Sequence, residues 1–144
     1  MIRLIKLFLL VNLLFILAGC PIRETIEIYN NSHNSVIIHT EKKSVRLEAH
    51  SRLIIGSKDG QLTWDDLDWI KDENKGIFSS LKIDNATGET VEYYLLFPDL
   101  PDDYVDISEG VRRIKIQLEE NGKAFLIPPN HDFPILDKSL MIAL

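Results

Sequence analysis

From residue 26 onward, apolar side chains fall on alternate positions, and that rhythm constrains the chain more than any other feature. In "VRRIKIQL", Ile114, Ile116 and Leu118 alternate with Arg113, Lys115 and Gln117. A period of two sends alternate side chains to opposite faces of a pleated strand, whereas a helix would scatter them. The same rhythm places Ile26 with Ile28, Val36 with Ile38, Val45 with Leu47, Leu53 with Ile55, Leu81 with Ile83, and Val91 with Tyr93 and Leu95. Polar or glycine-containing stretches punctuate these runs: Asn-Asn-Ser-His-Asn-Ser after Tyr29, Ala49-His50-Ser51, Asn85 to Thr90, and the tight-turn pair Asn121-Gly122. Strands with one polar face suit antiparallel sheets. The expectation is a mainly β chain, an antiparallel β-sandwich or small barrel, carrying one short helix around 63–73.

That helix rests on Thr63 as a cap, Asp66 three residues on in a capping-box arrangement, and Leu67 with Ile70 on one face. Asp65 and Asp66 favour its positive end. A weaker internal echo pairs Ile26, Ile28, Asn30, Ser32, Val36 and Ile38 with Leu81, Ile83, Asn85, Thr87, Val91 and Tyr93. Duplication and two hairpins with like turn chemistry both produce it.

The N-terminus follows a different logic. Arg3 and Lys6 precede sixteen uncharged residues, Leu7 to Ile22, and the chain's single cysteine, Cys20, lies inside that run. A membrane-spanning helix needs about 20 apolar residues, and this run is shorter and interrupted by Gly19 and Pro21. Leu17-Ala18-Gly19-Cys20 resembles the lipobox of bacterial lipoproteins at all four positions. The resemblance implies that residues 1–19 are a cleaved signal peptide, with Leu17, Ala18 and Gly19 recognised by the signal peptidase. It further implies that Cys20 carries a diacylglycerol thioether and an N-acyl chain. Two or more acyl chains hold a protein on a bilayer firmly, at about 0.8 kcal/mol per buried methylene. Residues 20–25 are then a lipidated cysteine and short tether, and 26–144 a single extracytoplasmic domain close to the bilayer. Proline rather than aspartate at position 21 favours an outer membrane, facing the periplasm, where the cell has one.

Losing Arg3 and Lys6 takes the formal charge from −6 to −8. An acidic domain is poorly suited to nucleic acid, which demands basic surface. With Cys20 committed to lipid, no thiol remains for a disulfide, a metal or nucleophilic catalysis. His33, His39, His50 and His131 show no paired ligand spacing, so no metal is expected, and no cofactor beyond the lipid. The acidic loop from Asp99 to Glu109 lacks calcium-loop spacing and reads as solvated surface. "NNS" and "NAT" match a glycosylation acceptor, but in a bacterial lipoprotein Asn30 and Asn85 read as turn formers.

No nucleophile elbow or acid–base pair stands out, and the chain is expected not to be an enzyme. The expected function is a protein-binding or structural module of the envelope, either immunity- or inhibitor-like or an accessory subunit of an assembly. The alternative is a small-molecule or metal carrier. Trp64, Trp69 and Tyr104 are the candidate partner-binding residues, because exposed aromatic rings are enriched at interaction hot spots.

Overall fold

The alternating runs become strands in two sheets. The structure, a computed structural model, describes residues 23–56, 60–72, 76–85, 87–95 and 100–144. The six-stranded sheet contains β1 (Arg23–Asn30), β4 (Arg52–Ile55), β8 (Val105–Ser108), β9 (Val111–Leu118), β10 (Ala124–Ile127) and β11 (Ile142–Ala143). The five-stranded sheet contains β2 (Val36–His39), β3 (Ser44–Leu47), β5 (Asp68–Asp72), β6 (Gly76–Asp84) and β7 (Thr90–Leu95). The sheets do not close on each other, so the architecture is a β-sandwich rather than a barrel.

Among the described residues, pairing between these strands is antiparallel except that β1 runs parallel to β9, with Ile26 opposite Ile114 and Ile28 opposite Ile116; a parallel bridge also joins Ile55 to Leu62. Each sheet is organised on one long strand. Along β9, β1 covers one edge, and β8 and β10 divide the other. Along β6, β7 covers one edge, and β5 and β2 divide the other. One core fills the space between the sheets. Ile26, Ile28, Leu53, Ile55, Ile114 and Ile116 face Val36, Ile38, Leu47, Leu81 and Ile83 in a single buried cluster. Each such side chain contributes about 1.5–3 kcal/mol relative to exposure.

The helix expected around 63–73 is a single 3-10 turn, Trp64–Asp66. Its cap is as the sequence suggests: the Thr63 N–H donates to Asp66 Oδ2 at 2.7 Å and the Thr63 hydroxyl to the same oxygen at 2.9 Å. The turn ends because Leu67 is extended (φ −80°, ψ 148°), and Asp68–Asp72 then pair with β6, Trp69 opposite Ser79. Pairing along five residues outweighs a cap that helps only the first turn.

The segment after Tyr29 is not a hairpin turn. It is an arch, since β1 belongs to the six-stranded sheet and β2 to the five-stranded one. The echoed segment joining β6 and β7 is a true hairpin. What the two share is local: Asn30 Oδ1 accepts from the Ser32 N–H and hydroxyl, and Asn85 Oδ1 from the Thr87 N–H and hydroxyl.

The outer faces of the two sheets differ. Across β9, Lys115 and Gln117 point away from the core, yet Gln117 is fully buried. Its side chain pairs with the backbone of Ile135, Nε2 donating to the carbonyl and Oε1 accepting from the N–H, each at 2.9 Å. Lys115 Nζ donates to the carbonyls of Pro129 and His131, and Tyr29 stacks on Phe133 with ring centroids 5.1 Å apart. Residues 128–137 thus form a strap over this sheet, burying Ile127 and Ile135 apart from the main core.

Candidate functional site

Among the described residues, no such strap crosses the outer face of the five-stranded sheet. Alternation along β2, β3, β6 and β7 turns Ile37, His39, Ser44, Arg46, Lys82, Asp84, Thr90, Glu92 and Tyr94 outward, opposite the core positions Ile38, Val45, Ile83 and Tyr93. The registers draw these side chains into rows. His39 links two neighbouring rows: its Nδ1 lies 2.7 Å from Ser44 Oγ directly across, and its Nε2 reaches diagonally to Asp84 Oδ2 at 2.7 Å, while the Thr90 hydroxyl donates to Asp84 Oδ1 at 2.6 Å. The hydrogen bond from Thr90, and after it the one from His39, holds the Asp84 carboxyl below the usual carboxylate range. Lys82, directly opposite His39 on β6, and Glu92 approach to 3.9 Å across β6 and β7.

A hydroxyl, an imidazole and a carboxylate in series are the side chains of a nucleophilic triad. They lie on a sheet face, with β2 paired on one side to β3 and on the other to β6. As built, this chain of hydrogen bonds ties four strands together.

Two surface grooves open on this face. One, of about 410 Å³, is lined by Ile37, Arg46, Asp84, Asn85 and Gly88, and the other, of about 170 Å³, by His39, Glu41, Ser80 and Lys82. Ile37 is 39% exposed and Tyr94 53%. The Glu92 carboxylate accepts from the Tyr94 hydroxyl, which raises the pKa of that phenol. The face therefore offers apolar and aromatic contact among paired charges of both signs.

Two of the residues singled out from sequence, Trp64 and Tyr104, lie elsewhere. Trp64 is half-buried, packs against the core and donates its indole N–H to the Glu24 carbonyl at 2.8 Å. Gly56, at φ +90°, makes room for that ring, since a Cβ there would stand 2.2 Å from Trp64 Nε1. Tyr104 is half-buried too and donates to the Leu140 carbonyl at 3.1 Å. The side chain of Trp69 and the residues Leu17, Ala18, Gly19 and Cys20 lie outside the described residues. Ile37 and Tyr94 were not singled out, although alternation marks both: each neighbours residues assigned to the core, Val36 with Ile38 and Tyr93.

Among the described residues, no group of three or more His, Cys, Asp or Glu side chains is placed to hold a metal ion. Among the same residues, no helix is long and apolar enough to cross a membrane. Comparisons with protein-family models, with curated proteins and with solved structures find no match to this chain.

Proposed function

We propose that this protein is a lipid-anchored component of a bacterial envelope whose sandwich docks a protein partner on the open face of the five-stranded sheet. The observation that carries this reading is the asymmetry of the two outer faces. One is strapped by residues 128–137; across the other no described segment passes, and Ile37 and Tyr94 are exposed among ion pairs. Interfaces combine apolar and aromatic anchors with a polar surround in this way. The four strands β3, β2, β6 and β7 present a face about 20 Å on a side, roughly 400 Å² by strand spacing and rise. One side of a standard interface buries about 800 Å², so the partner engages adjoining loops as well.

The mixed charge of the face favours an accessory subunit of an assembly over an inhibitor plugging a uniformly basic cleft. Lipidation at Cys20 rests on Leu17-Ala18-Gly19-Cys20 and is compatible with the first strand starting at Arg23, immediately beyond a very short tether.

The test is crosslinking in intact cells with the full lipidated chain as bait. Wild type should recover one partner in stoichiometric amount. Ile37→Glu combined with Tyr94→Ala should lower recovery at least tenfold, about 1.4 kcal/mol, while leaving the circular dichroism spectrum unchanged. Undiminished recovery would place the docking site on another surface. Cys20→Ser should abolish labelling by radioactive lipid precursor, and a variant that still labels would remove the anchor from the proposal.

A further inference from the structure

His33 and His50 are seventeen residues apart in sequence and meet where β1 ends. His50 Nε2 stands 3.3 Å from His33 Nδ1, and the ring centroids are 5.2 Å apart at an interplanar angle of 73°. Without an ion, one ring nitrogen donates to the other in a long hydrogen bond. Their separation also matches two imidazole nitrogens on one tetrahedral ion, each about 2.0–2.1 Å from the metal and hence about 3.3–3.4 Å from each other.

We infer that His33 and His50 form a two-imidazole site for a divalent transition-metal ion such as Zn²⁺ or Cu²⁺, with water completing the coordination. This goes beyond the docking role and does not depend on it. The backbones that carry the rings are fixed before any ion arrives. The His50 N–H donates to the Asn30 carbonyl at 2.9 Å, and the His33 N–H to Glu120 Oε2 at 2.7 Å. Beneath both, the buried Asn30 side chain ties together Asn34, Leu47 and Glu48 through their carbonyls. His50 is also held at φ 54°, a left-handed conformation uncommon for residues other than glycine and tolerated where the surroundings enforce it.

The other histidines are engaged differently. Both ring nitrogens of His39 contact Ser44 and Asp84, and His131 Nδ1 contacts the Asn130 side chain. Both rings of the His33–His50 pair are exposed, and the Glu120 carboxylate, which reaches the His33 N–H from the turn between β9 and β10, adds a favourable field for a cation.

The experiment is calorimetric titration of the full chain, in detergent, with ZnCl₂ and separately with CuCl₂. Wild type should take up one ion per chain. His33→Ala and His50→Asn should each weaken binding at least tenfold, asparagine being chosen because it tolerates a positive φ. His131→Ala should bind as wild type does. The copper-loaded protein should show nitrogen couplings from two imidazoles in its paramagnetic resonance spectrum, reduced to one by either substitution. Absence of binding at millimolar metal would overturn the inference. So would binding that neither His33→Ala nor His50→Asn alters.

Discussion

At the scale of single residues, buried amides do what an apolar core cannot: they fix where irregular backbone goes. Asn30 is completely buried, and its Nδ2 donates to the carbonyls of Asn34, Leu47 and Glu48 while its Oδ1 accepts from Ser32. Truncation to alanine would leave those groups buried without partners, at a cost of about 1–3 kcal/mol for an unsatisfied polar group. Asn30→Ala is therefore expected to lower the stability of the domain by about 2–4 kcal/mol in urea unfolding. The corresponding change at Asn85, whose side-chain oxygen among the described residues serves its own hairpin through Thr87 and Glu89, should cost less. The sequence marks both asparagines as turn formers. It gives no sign that Asn30 reaches seventeen and eighteen residues ahead, because that reach depends on which sheet each neighbouring strand joins.

At the scale of elements, alternation identifies strands well and their neighbours poorly. Most runs marked by apolar spacing became strands, and the Asn121-Gly122 turn joins β9 to β10 as its residues suggest. The capping residues Thr63 and Asp66 were legible, but a cap indicates only where a turn begins. Whether a helix follows is decided by competition with strand pairing, here by β6. Gln117 reads as a solvent-facing strand residue from its neighbours Ile116 and Leu118, yet it is buried because residues 128–137 cross above it. Gln117→Leu fills the same space and removes both bonds to Ile135. The expected result is local release of the strap, with hydrogen exchange at the Ile135 amide accelerating at least tenfold. Amides of Ile26 and Ile28 in the core should keep their protection. Equal acceleration at all three would show that the strap is not a separate cooperative unit.

At the scale of the whole molecule, the carboxylates set a direction for acid sensitivity. Hydrogen bonds from the Thr63 backbone and then from Lys43 bring Asp66 down to about 2, and bonds from Ser139 lower Asp137, as Thr90 and His39 lower Asp84. A depressed folded-state pKa contributes stability that is fully present above the unfolded value, about 3.9, and fades as pH falls through the folded one. The urea midpoint is thus expected to drop between about pH 4 and pH 2, and Asp66→Asn should flatten that drop, measured at equal ionic strength. The overall class, a mainly β antiparallel sandwich, was legible in the sequence. The partition of strands between sheets, and so the strapped and open faces, was not, since a period of two is the same in either sheet. One pairing also bears on timing. β1 lies between β4 and β9, and Arg23 pairs with Val111. A chain threaded through a membrane from its N-terminus delivers its first strand long before the neighbour that completes the slot. On the proposed route of export, the six-stranded sheet closes only after residues 111–118 have crossed. Closure then hinges on a late, long-range encounter rather than on local turns, so folding belongs to the slower, millisecond-to-second range of β-sandwiches.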